Sequence, residues 1–113
     1  MTERQEFELV ARAAGIELVL DPDGILRDCT GSHPLMNIFA CPVWNPREDD
    51  GDSRRLQVAL RMAVTYTVDD SIARVWYGDV GTDPIEELLG DDPSAATRLA
   101  VWKAALEIAK GMK

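Results

Sequence analysis

A chain of 113 residues has the length of one ordinary domain, and 46% apolar with 28% charged residues lies well away from the composition of disordered chains. Twenty Asp and Glu against 12 Lys and Arg leave a net charge of −8, a field that repels phosphate backbones and anionic headgroups, so direct nucleic-acid or membrane binding is not expected. No apolar run nears the roughly 20 residues that cross a bilayer, and the opening Glu3, Arg4 and Glu6 are unlike a secretory leader. A cytoplasmic protein is therefore expected, with one domain over 1–113 and free thiols at Cys29 and Cys41.

Thr2 and Gln5 stand at capping-box spacing, and Phe7, Val10, Ala11 and Ala14 form an apolar stripe that Gly15 can end, which predicts a first helix. Ile16 to Leu20 reads as a strand, Asp21-Pro22-Asp23-Gly24 as a tight turn, and Ile25 to Cys29 as the returning strand. Thr30 to about Asp50 has no clear period and carries Gly31, Pro34, Pro42 and Pro46. A connection this long in a compact domain is either a functional loop or an insertion.

Asp52 or Ser53 can cap a second helix to about Ala63, with Leu56, Ala59, Leu60 and Ala63 inward and Arg54, Arg55, Gln57 and Arg61 outward. Alternation then switches to period two through Val64, Tyr66 and Val68. A turn at Asp70 and Ser71 leads to a β-branched and aromatic run from Ile72 to Tyr77. Within the acid-rich stretch Gly78 to Asp92, Asp83-Pro84-Ile85-Glu86-Glu87 has the signals of one short helix ending at Gly90. Asp92 and Pro93 open a last, alanine-rich helix that closes on Lys110 and Lys113. The order helix, hairpin, helix, hairpin, helix predicts an α+β fold with one antiparallel sheet of about four strands covered by helices.

Cys29, His33 and Cys41 offer ligand types that zinc prefers, but no fourth ligand stands at a familiar spacing, and the three residues form no recognisable nucleophile-and-base motif. Asp49, Asp50 and Asp52 cluster without the glutamate that a calcium loop needs at its twelfth position; crowding at a helix N-terminus accounts for them, and no metal or other cofactor is expected. Gly78 and Gly81 lead into acids that would repel a phosphate. No catalytic set emerges, so a non-enzymatic role is expected. Trp44, beside Met36, Phe39, Pro42 and Pro46 in the irregular stretch, is a candidate exposed anchor for a protein partner.

Trp44-Asn45-Pro46, Asp49-Asp50-Gly51-Asp52 with Leu56, and Asp92-Pro93-Ser94-Ala95-Ala96-Thr97-Arg98 before an alanine-rich helix resemble the small tailed-phage and prophage proteins of the phage ABA sandwich domain family. The likeness covers about the last two-thirds of the chain and implies a helix-sheet-helix (α/β/α) sandwich and a viral genome context, without an activity. The stretch Thr30 to Pro42 is longer than that family's connection. On this reading the chain is a phage accessory protein that binds a protein partner, with Phe39, Trp44, Asp49, Asp50 and Asp52 as contact residues and self-association to a homo-oligomer expected. Two other readings stay open. One is an acidic mimic of nucleic acid built from Asp79, Asp83, Glu86, Glu87, Asp91 and Asp92, which would inhibit a host DNA-binding enzyme. The other is a metal-dependent enzyme using Asp49, Asp50 and Asp52.

Overall fold

Helix α1 (Glu3–Ala13) opens on the expected capping box in the computed structural model, which describes residues 1–31, 37–67, 69, 71–78 and 83–111. The Thr2 hydroxyl accepts the Gln5 amide at 3.2 Å, and the Gln5 side chain accepts the Thr2 amide at 2.8 Å. The expectations that involved His33, Pro34, Met36, Val68, Asp70, Asp79, Gly81 and Lys113 fall outside the described residues. α1 ends with Gly15 at φ +76°, while the Gly15 and Ile16 amides donate to the carbonyls of Arg12 and Ala11. That closure uses the amide of Ile16, so the first strand starts two residues later than its alternation implied.

Strands β1 (Leu18–Leu20) and β2 (Leu26–Asp28) pair antiparallel, with Leu20 opposite Leu26 and Leu18 opposite Asp28. Their turn is organised by Asp21, whose Oδ1 accepts the amides of Asp23 and Ile25, each at 2.9 Å. The long connection returns to this hairpin. After a short 3-10 turn, Ile38–Ala40, residues 42–44 run antiparallel to β2: the Asp28 amide donates to the Pro42 carbonyl, the Trp44 amide to the Leu26 carbonyl, and Arg27 stands opposite Val43. This return brings the Cα atoms of Cys29 and Cys41 to 5.2 Å, and the two form a disulfide. The expectation of two free thiols is corrected accordingly: sequence separation concealed a proximity that the returning strand creates.

Helix α2 (Asp50–Ala59) begins earlier than expected, because Asp49, and neither Asp52 nor Ser53, is its cap: the Asp49 Oδ2 accepts the Asp52 amide at 2.7 Å. Asp52, Ser53, Leu56 and Gln57 are buried, while Ala59 and Ala63 are exposed, so the inward stripe is more polar than the apolar pattern implied.

Strands β3 (Ala63–Thr67), β4 (Ile72–Trp76) and β5 (Ile85–Leu88) form a second antiparallel sheet in the order β3-β4-β5. Two corrections follow. The expected sheet of about four strands is instead one two-stranded and one three-stranded sheet, and residues 85–88 form a strand where a short helix was expected. Pro84 and the early acids favour a helix start, but Glu86 meets Arg74 across the strand pair and Glu87 meets Lys103 on the final helix, and both partners reward the extended form.

Helix α3 (Pro93–Gly111) starts as expected, with Asp92 Oδ1 accepting the Ala95 amide at 3.1 Å. It packs against α1, α2, β4 and β5, which explains why Ala100, Val101, Trp102, Ala104, Ala105 and Ala109 are all buried: small side chains admit neighbours on several sides. The core joins these residues to Phe7, Val10, Trp44, Leu56 and Val75.

Candidate functional site

The three expected carboxylates sit together at the start of α2, each already engaged. Asp49 is the cap; Asp50 pairs with Arg98 of α3 at 2.5 Å; Asp52 is buried and accepts both the Asn45 amide at 2.9 Å and Arg55 at 2.7 Å. Arg55 holds its proton more firmly than usual because of that hydrogen bond to Asp52. Asn45 completes the entry, its side chain accepting the Arg47 amide. The cluster therefore fastens a loop to two helices. Among the described residues no group of three or more His, Cys, Asp or Glu is placed to hold a metal ion.

Trp44 and Phe39, read together as a contact pair, part company. Trp44 is 3% exposed and its ring lies 5.9 Å from Phe7 and 6.5 Å from Trp102, so the expected surface anchor is a core residue. Its place follows from register: the Trp44 amide bonds to Leu26, and that side of the hairpin faces α1 and α3. Phe39 is 48% exposed, and the Arg27 guanidinium stands over its ring, 5.3 Å from the centroid.

Around Arg27 the structure builds a small apolar surface that sequence reasoning missed. Val19, Arg27 and Val43 are directly opposite one another on three adjacent extended segments, so their side chains share one face, and both valines are exposed. Arg27 is spent inward. Its Nε donates to Asp21 Oδ2 at 2.7 Å and its Nη1 to the Cys41 carbonyl at 2.8 Å, which leaves Phe39 as the cover of a neutralised charge. Arg27 holds the Asp21 carboxyl below the usual range, the Ile25 amide adds to this, and burial opposes it.

A second exposed stretch lies on the face of the three-stranded sheet turned away from α3. Val64, Val75 and Ile85 share the face toward α3, so Ile72, Trp76 and Leu88 point the other way. That face is divided by the Arg74–Glu86 ion pair, 3.3 Å long.

Comparison with models of known families, with characterised proteins and with solved structures returned no match. No helix among the described residues is long and apolar enough to cross a membrane.

Proposed function

We propose that this protein is a non-catalytic binding module that receives a protein partner on the surface formed by Phe39, Val43 and Val19. The observation that carries this reading is the fixed, half-exposed ring of Phe39. Arg27 supports it from beneath, and the Cys29–Cys41 disulfide closes the chain beside it. An aromatic side chain held in place before binding loses little freedom on contact, which is what an interface anchor requires. The sheet face around Trp76 is less suited, because a partner there would have to desolvate Arg74 and Glu86.

The partner fitted by this surface is neutral or basic. A net charge of −8 steers cationic proteins inward and opposes close approach of a second copy, so homo-oligomerisation draws less support than a distinct partner. The acidic-mimic reading is also weakened. Glu86 and Glu87 point to opposite faces of β5 and each meets a cation, and Asp92 is turned into a helix cap, whereas a phosphate mimic needs free acids in one row. For the metal-enzyme reading, Asp49, Asp50 and Asp52 each have a structural partner already.

A photo-reactive residue at position 39, with a control at the exposed α2 position 58, tests the reading in the cells that produce the protein. Protein cross-links formed at 39 and absent at 58 are expected. Phe39→Ala should weaken binding of the captured protein by about 2 kcal/mol, roughly thirtyfold in Kd. The same change should cost the fold only about 0.5–1 kcal/mol through the lost cation contact. Equal cross-linking at both positions, or cross-linking only to a second copy, would sink the proposal.

A further inference from the structure

The β3–β4–β5 sheet ends on two edges that differ in kind. At β5 the edge is blunted: Pro84 stands just before it, Glu86 and Glu87 lie on it, and Lys103 of α3 pairs with Glu87. At β3 none of these devices is present. Its sequence Ala63-Val64-Thr65-Tyr66-Thr67 carries no charge and no proline, and its register with β4 runs from Ala63 to Thr67 without a bulge. Ala63, Thr65 and Tyr66 are exposed. β4 is the only strand neighbour, and among the described residues no backbone group of 63–67 is bonded outside that pairing, so alternate amides and carbonyls along the outer side of β3 have no protein partner.

The residues around this edge are complementary to themselves. In a twofold contact residue i meets residue j, and residue j meets residue i. Laid antiparallel about an axis at Thr65, β3 sets Val64 opposite Tyr66 of the second copy and Ala63 opposite Thr67. Val64 and Tyr66 both lie on the helix-facing side of the sheet, and a β-branched residue opposite an aromatic one is a favourable cross-strand pair. The same register brings Arg61 to Asp69, once at each end of the strand. Both are exposed, and neither has an ion-pair partner among the described residues. An axis at Val64 or Tyr66 would set both charges against uncharged residues. We infer that the protein pairs with a second copy through β3, joining the two three-stranded sheets into one, with Thr65 on the axis and an Arg61–Asp69 ion pair at either end. The net charge of −8 works against this contact, but repulsion between distant charges is screened beyond about 8 Å at physiological salt, whereas the end pairs act at close range. A strand of five residues buries less than a standard interface, which places the dimer among weak, concentration-dependent pairs. This edge shares no residue with the Phe39 surface, and its pairing does not depend on the function proposed there.

Sedimentation at physiological salt, over protein concentrations from about 10 μM to about 1 mM, should show a monomer–dimer equilibrium. Amide shifts of the ¹⁵N-labelled protein should change with concentration around Thr65, and a mixture of labelled and unlabelled chains should give intermolecular NOEs between the Val64 methyls and the Tyr66 ring. Thr65→Lys, at an exposed position, sets two like charges face to face on the axis and should weaken the dimer by about tenfold or more, with the thermal midpoint of the dilute monomer kept. Arg61, at φ +56°, tolerates Asp. Arg61→Asp and Asp69→Arg should each weaken the dimer by roughly fivefold, and the two together should restore it, because the end pairs re-form with their signs exchanged. A monomer over the whole range overturns the inference. So does a dimer that Thr65→Lys leaves intact, which would lie on another surface, or a double variant that binds no tighter than the single ones, which would mean another register.

Discussion

The two β units of this protein solve the same problem by different means. The β1–β2 hairpin has strands of three residues, too short to bury much apolar surface, and an isolated hairpin of this kind is marginal in water. It is tied down by the Cys29–Cys41 bond, by the buried Asp21–Arg27 pair, and by Trp44 reaching into the core. The β3–β4–β5 sheet is longer and lays Ala73 and Val75 against α3, so burial of apolar surface holds it. Where apolar area is scarce, covalent and ionic ties replace it. The outer faces differ accordingly, since the hairpin shows an aromatic ring over a neutralised cation and the sheet shows apolar residues around an ion pair.

Trp44→Ala should do the most to collapse this difference, because it removes the hairpin's grip on the helical core. A loss of about 3–5 kcal/mol in urea denaturation is expected; a loss below about 1 kcal/mol would mean that hairpin and helices are held together elsewhere. Removing the disulfide by Cys29→Ser with Cys41→Ser comes next. Opening a loop between residues 12 apart should cost about 2–3 kcal/mol, since closure of a loop this short restricts the unfolded chain by roughly that amount. Hydrogen exchange sharpens the contrast: amides of Arg27, Asp28 and Trp44 should lose protection while those in the middle of α3 keep theirs. Equal loss in both units would show that they unfold as one.

The smallest effect is expected from acid. Asp21 has a folded-state pKa below its unfolded value of about 3.9, so its contribution to stability is complete above that pH and fades as pH falls through the lower, folded value. Asp21→Asn should therefore flatten the decline of the thermal midpoint below about pH 4, while the wild type keeps the steeper slope. Parallel slopes for the two proteins would remove Asp21 from the account.

How much of this was legible depends on how far each signal had to reach. The capping box of α1, the turn at Asp21 to Gly24, the β3–β4 alternation and the start of α3 all depend on groups within a few residues of one another, and they stand in the structure as the sequence implied. The candidate site was read less well. Phe39 is exposed and its neighbour Trp44 is not, and no local pattern separates them; Arg27, which makes the Phe39 surface, gave no signal at all.

By itself the sequence determined that this is an acidic α+β chain, where its first and last helices begin, and that the chain reverses at Asp21 to Gly24, because caps, φ preferences and apolar periodicity act over distances of about one turn. Only the tertiary structure decided that residues 85–88 extend as a strand, that Trp44 turns inward, and that Cys29 meets Cys41. Those outcomes rest on partners far along the chain, Lys103 for Glu87, Phe7 and Trp102 for Trp44, and a returning strand for the cysteines, and proximity of that kind exists only once the core has formed.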